Sequence, residues 1–362
     1  MEIPYSEELN ALAANLAIND SSFLLKLEFT LTVHTTTVET KQIQQFKKTA
    51  PPLITTIFHG FKSISKASES TSDILTIAPT ASSTLKQVTI SHEFLTFDQK
   101  CQRFLNTQIP TSYETTGPLI RLNLSPSQLP FKHAIGIALL SKATKTVISK
   151  IDISAVFRNL NFELIAGVPE YVFTLNQDVR LKIDYEKVYF NSRLIEFHRE
   201  IAAKVLKTTT GTILDVTAGV GPFSMRLGKT RKVICNDLNP TCFELLKENA
   251  RLNKIEGMEI RNLNGIQFLQ EYKDDKIGCI LMNLPELGIE LLEGLRGFKS
   301  ACVVIFECFS RQSDNFQVEI QGKIDEIIQI KDLKCEKVRD VSNGKWMIRG
   351  EFILNEGKHD EL

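Results

Sequence analysis

The stretch Ile213-Leu214-Asp215-Val216-Thr217-Ala218-Gly219-Val220-Gly221-Pro222-Phe223 decides the fold of this 362-residue chain. An apolar run that ends at an acid and passes through two glycines reads as a buried strand, a tight turn and a helix start. Glycines in such a turn let backbone approach a ligand closely. Dinucleotide-binding folds use G-x-G-x-x-G to seat a pyrophosphate on the helix N-terminus. Here Pro222 follows the second glycine and Ser224 stands where a third would be, so pyrophosphate is not the natural guest. A second acid, Asp237, ends the next apolar run 22 positions after Asp215, the spacing at which a carboxylate meets ribose hydroxyls. Asp215, Gly219, Gly221 and Asp237 are therefore expected to line a nucleoside site. Asn239 and Pro240 form an N-cap and first-turn pair that opens the following helix.

Outward from this loop, strand-like runs at 212–216, 232–237, 258–261, 277–282 and 301–308 alternate with helical ones, which predicts a parallel sheet with crossover helices. A helix is expected over 194–206, ahead of the first of these strands. Two further runs, 335–341 and 345–354, flank Asn343-Gly344, where both residues tolerate positive φ, so the chain is expected to close with an antiparallel hairpin. Such an edge hairpin suits a methyltransferase better than a dehydrogenase. Upstream, short β-branched runs between Ser112 and Asp184 are punctuated by Pro126 and Pro130 and read as α+β. Residues 63–91 are Ser/Thr-rich with little helical periodicity. The expected organisation is an N-terminal α+β region over 1–105, a second α+β domain over 106–190 and the cofactor domain over 191–362.

Composition narrows the class. Forty-three basic residues balance forty-three acidic ones, so any hold on nucleic acid must come from a local patch. Seven cysteines include no C-x-x-C pair, which points away from structural zinc and towards a reducing compartment, cytoplasm or nucleus. No basic leader and no membrane-spanning apolar run is present. The terminal His359-Asp360-Glu361-Leu362 matches a luminal retrieval signal, and without a leader the match is taken as coincidental.

After the fourth strand comes Met282-Asn283-Leu284-Pro285, which places an amide and a carbonyl at the strand's C-terminal end, where ligands of such sheets bind. With this motif the order of several others becomes specific. They are Pro110-Thr111-Ser112-Tyr113-Glu114, Gly117 with Leu122-Asn123-Leu124, Phe157-Arg158, Ala166-Gly167, Val188-Tyr189-Phe190-Asn191-Ser192-Arg193-Leu194, the Gly219 loop, Asp237-Leu238-Asn239-Pro240 and Val338-Arg339-Asp340. In this order the chain resembles the archaeal and eukaryotic tRNA (guanine37-N1)-methyltransferases, over roughly residues 110–354.

The resemblance implies a class I α/β methyltransferase fold preceded by α+β RNA-binding regions, S-adenosyl-L-methionine as cofactor, and tRNA as substrate of a monomeric enzyme. It implies that Asp237, Leu238, Asn264 and Gly265 surround the nucleoside of the donor, with His198 near it and Asn283 between cofactor and base. Arg158 matches the arginine that stabilises charge developing on guanine O6. Guanine N1 carries a proton, so a base is also needed. The family's Arg-Leu-x-Thr-Glu-His stands here as Arg193-Leu194-Ile195-Glu196-Phe197-His198, with Phe197 in the position of the base and the adjacent Glu196 expected to take over. Asn264 stands where the family has an aspartate. A block of six basic residues, Arg121, Lys132, Lys142, Lys145, Lys150 and Arg158, against the single acid Asp152, is the expected phosphate track.

Overall fold

A computed structural model describes residues 3–153, 160–311, 315–342 and 344–355. The chain divides into two compact units, residues 1–151 with 162–170, and residues 152–161 with 171–362. Residues 106–190, read above as one domain, are shared between them.

The first unit opens with α1 (Glu7–Ala14), whose N-cap Ser6 accepts from the Leu9 amide and whose Glu7 and Glu8 complement the helix dipole. After α2 (Ser22–Lys26) come β1 (Phe29–Glu39), α3 (Ile43–Thr49), β2 (Ile64–Lys66), β3 (Thr71–Thr76) and β4 (Thr84–Ile90). These strands form an antiparallel sheet in the order β2-β3-β1-β4. The Ser/Thr-rich stretch thus supplies three strands, because β-branched threonine suits a pleated, half-buried surface. Next are α4 (Phe97–Gln102), β5 (Tyr113–Thr116), β6 (Leu119–Leu122), α5 (Lys132–Leu139), β7 (Thr146–Ile153) and β8 (Leu160–Gly167), a second sheet in sequential order. The unit's core gathers Phe23, Phe58 and Phe104, with the Phe23 and Phe104 rings edge to face at 5.3 Å.

The second unit begins with the hairpin β9 (Val172–Asn176) and β10 (Arg180–Asp184), followed by α6 (Ile195–Thr208). The sheet elements are β11 (Thr212–Asp215), α7 (Ser224–Leu227), β12 (Val233–Asn236), α8 (Pro240–Leu252), β13 (Glu259–Arg261), α9 (Gly265–Glu271), β14 (Ile277–Met282), β15 (Cys302–Ser310), α10 (Phe316–Asp325), β16 (Lys334–Ser342) and β17 (Lys345–Leu354). Their order is β13-β12-β11-β14-β15-β17-β16, parallel through β15 with β17 and β16 antiparallel at the edge. All five parallel strands and the closing hairpin fall where the sequence places them. Gly344 has φ +70°, as the turn requires, while Asn343 lies outside the described residues. The order reverses between β11 and β14, so the C-terminal ends of these two strands flank the crevice where such sheets bind ligands.

The β9–β10 hairpin is tied to this unit by two asparagines of the α8 region. Asn249 is fully buried; its Oδ1 accepts from the Lys182 amide (2.7 Å) and its Nδ2 donates to the Lys182 and Val220 carbonyls (3.1 and 2.9 Å). Asn253 makes the same two-way exchange with the backbone of Arg180. All seven cysteines are unpaired, and among the described residues no helix is long and apolar enough to cross a membrane.

Candidate active site

The donor side is built on the turn after β11. Asp215 is fully buried, and Ser224 Oγ donates to its Oδ2 (2.6 Å), so this acid anchors the start of α7. Burial pushes its pKa up to about 7. Gly219 has φ +57°, and its amide donates to Asp237 Oδ2 (2.8 Å) while the Asn239 amide donates to Oδ1 (2.9 Å). Those two amides counter the upward push of burial on Asp237. A Cβ placed on Gly219 would meet nothing within 4 Å, whereas one on Gly221 (φ +90°) would lie 2.8 Å from Met225 Cε and 2.9 Å from Leu246 Cδ2. The first glycine therefore keeps space open and the second lets the turn pack.

Three side chains that the sequence reading passed over hold this geometry. Asn236 is buried; its Nδ2 donates to the Val216 and Leu263 carbonyls (3.0 Å each) and its Oδ1 accepts from the Leu263 amide (2.8 Å). It joins the ends of β11 and β12 to the loop before α9. Asn262 Nδ2 donates to the carbonyls of Asp237 and Leu238 (2.7 and 3.0 Å). Arg226 clamps Asp178 with two bonds (2.7 and 2.8 Å) and donates to the Pro222 carbonyl (2.5 Å). The only hint in sequence was a polar residue ending an otherwise apolar strand, Val233-Ile234-Cys235-Asn236.

Leu238 is 51% exposed beside Asp237, leaving an apolar surface at the crevice. Asn264 is exposed and spends its Oδ1 on capping α9 through the Ile266 amide (2.9 Å). Gly265 is a packing glycine, since a Cβ there would lie 2.7 Å from Leu291 and 3.1 Å from Val216. These residues fit the nucleoside of a methyl donor. Space is open over Gly219, a carboxylate is fixed beside it, and the buried Thr217 Oγ1 has no hydrogen-bond partner.

On the acceptor side Asn283, just past β14, donates from Nδ2 to His198 Nε2 of α6 (3.2 Å). Burial, helped by the nearby Arg226 charge, pushes the His198 pKa down to about 3, so the ring is neutral and its proton sits on Nδ1. That Nδ1 is buried with no partner. His198 stands edge to face with Phe223 at 4.8 Å, and Phe197 meets the same ring at 6.4 Å. The structure does not bring Glu196 to this group. Its side chain is 70% exposed and ion-paired with Arg199 (2.9 Å), because one step along a helix turns a side chain by about 100°.

Arg158 lies outside the described residues, as do Phe157 and the terminal His359–Leu362. The rest of the basic block is partly neutralised: Arg121 is paired with the buried Glu114, and Lys132 with Glu163 (2.6 Å). Lys142 and Lys145 are exposed and Lys150 is half-buried.

Residues 174–334 match the model of the TRM5/TYW2 methyltransferase domain, and residues 96–170 that of the TYW2 N-terminal domain. The tRNA (guanine(37)-N(1))-methyltransferase of Trichomonas vaginalis is 32% identical over 308 residues, 80% of this chain and 81% of that protein. The chain belongs to this family. The enzyme of the same description from Dictyostelium discoideum is 33% identical over 74% of this chain, and only 64% of its own length is spanned. Trm5b from Pyrococcus abyssi has the same fold, with a TM-score of 0.65 at 20% identity over 89% of this chain and 98% of that one. As a member of the tRNA (guanine(37)-N(1))-methyltransferase family the chain is a class I enzyme that uses S-adenosylmethionine.

Proposed function

We propose that this chain moves the methyl group of S-adenosylmethionine to N1 of guanosine 37 in tRNA, as a monomer working in the cytosol or nucleus. The observation that carries the reading is the Asn283–His198 pair at the end of β14, one strand across from the Gly219–Asp237 turn. With one N–H committed to His198, the Asn283 amide keeps a second N–H and a carbonyl oxygen for the planar edge of a base. Asp237, the open side of Gly219 and Leu238 hold the donor's nucleoside, and bound S-adenosylmethionine supplies an electrophilic methyl group. Neutral His198 fixes Asn283. Arg158 is assigned to guanine O6 through the family resemblance, and the exposed Lys142 and Lys145 to phosphates.

The matched TYW2 N-terminal domain favours one other reading, aminocarboxypropyl transfer from the same donor. The two are separated by incubating the protein with donor labelled either in the methyl or in the carboxyl group, and with tRNA transcripts bearing G or A at position 37. Methyl label entering only the G transcript, as 1-methylguanosine, is the expected result. Carboxyl label in the RNA would establish the other transfer, and bound but unlabelled RNA would leave a tRNA-binding protein.

A further inference from the structure

The proposed reaction needs a group to take the N1 proton, and neither Glu196 in solvent nor apolar Phe197 can do so. The sheet itself carries another carboxylate. Glu307 lies on β15, one residue past Phe306, which is the register partner of Met282 on β14. It is therefore level with Asn283, on the neighbouring strand. Side chains alternate along strands, so Glu307 shares a face with Ile305 and, across the register, with Leu281, Asp215 and Glu351. Glu351 is ion-paired with Lys204 of α6, which identifies this face as the one that α6 covers. Directly opposite Glu307 on β17 is Arg349, whose guanidinium lies 5.3 Å from the Phe197 ring centroid. The loop that carries Asn283-Leu284-Pro285 returns against Glu307 so closely that a Cβ on Gly288 would lie 1.8 Å from its carbonyl oxygen.

Glu307 is 2% exposed and its Oε2 has no hydrogen-bond partner. Burying a carboxyl oxygen without a partner costs stability, and such groups cluster at functional sites. We propose that Glu307 is the catalytic residue that accepts the proton of guanine N1. This rests on the methyl-transfer reading above. The proton passes to a Glu307 carboxylate oxygen, and the electron pair left on N1 forms the new bond to the donor's methyl carbon. The carbon–sulfur bond breaks with its pair on sulfur, so the sulfonium leaves as a neutral thioether and Glu307 ends as the acid.

Burial pushes the Glu307 pKa up to about 8; the Arg349 charge opposes this and Asp215 adds to it. The other charged or titratable groups facing it are His198 of α6, held neutral, and Glu351 of β17, while Arg349 is itself paired with Glu336 of β16. A base titrating near working pH is the efficient kind.

The test is single-turnover methyl transfer to the G37 transcript at saturating donor, between about pH 6 and pH 9, for wild type, Glu307→Gln and Glu307→Asp. Donor and tRNA affinities are measured beside it by titration. The wild-type rate should rise with pH and level off near the Glu307 value of about 8. Glu307→Gln should bind both ligands normally, react about 100-fold slower or worse, and lose the rising limb. Glu307→Asp should be slowed but keep a limb. A Glu307→Gln enzyme with wild-type rate and limb overturns the proposal while leaving methyl transfer intact. Should Glu307→Gln fail to bind the donor, Glu307→Asp decides, since a wild-type rate and profile there overturns the proposal equally. A wild-type protein that leaves the G37 transcript unlabelled sinks the functional reading, and this proposal with it.

Discussion

The two sides of the crevice, one behind β11 and β12 and the other behind β14 and β15, are held together in different ways. On the donor side Asn236, Asn249 and Asn262 hold backbone groups by eight hydrogen bonds, and Asp237 takes two more amides. On the acceptor side a single bond links Asn283 to His198, and His198 Nδ1 and Glu307 Oε2 are buried without partners. Asp215 Oδ1 and Thr217 Oγ1 on the donor side are buried without partners as well, so the two sides differ in how many bonds pin the backbone, and both keep buried polar atoms that a ligand could satisfy. On the proposed reading, the donor meets a turn already pinned in the folded chain, and the base meets a side held by fewer bonds.

The sharpest way to break this contrast is to unpin the donor side. Asn236→Ala leaves two carbonyls and one amide without partners and should cost about 3 kcal/mol in urea denaturation, with donor affinity falling alongside. A loss under about 1 kcal/mol would mean that the turn is held by something else. The two glycines refine the picture. Gly221→Ala forces a side chain into the left-handed region against Met225 and Leu246, and should cost about 2 kcal/mol. Gly219→Ala meets no protein atom and should cost nearer 1 kcal/mol, yet it should weaken the donor more, because its methyl group enters the space kept for it. Equal effects on stability and affinity would show that Gly219 only shapes the turn. The smallest effect is expected at Glu196→Gln, within about 0.5 kcal/mol in stability and at wild-type turnover, since the side chain is exposed. A sharp fall in turnover there would restore Glu196 as the base and remove Glu307.

Much of this contrast was legible in the sequence on one side only. Asp215, Gly219, Gly221 and Asp237 sit on one short loop and the strand after it, so local spacing located them. Even there, Asp215 turned out to anchor α7, because the reach of Ser224 back to it depends on the turn's three-dimensional path. The asparagines that fix the loop act across elements far apart in the chain, Asn249 on Lys182 for instance, and nothing local marks them. Glu307 was hidden inside the run Val303-Val304-Ile305-Phe306-Glu307-Cys308, which reads as a buried strand and says nothing of the face its one acid occupies. The same holds for the basic block, where the pairing of Arg121 with Glu114 follows from strand register. The individual strands β1 to β4 were not placed in the N-terminal α+β region, because alternating threonines carry a weaker periodic signal than aliphatic residues do.

The separability of the two sides is tested most directly by measuring donor affinity and single-turnover methyl transfer in the same two variants. Asp237→Asn should weaken donor binding by about tenfold or more while keeping the wild-type rate once donor is saturating. Asn283→Ala should leave donor affinity little changed and slow methyl transfer to the G37 transcript by about 100-fold. Parallel losses of affinity and rate in both variants would contradict the account, because donor and acceptor would then share one set of contacts.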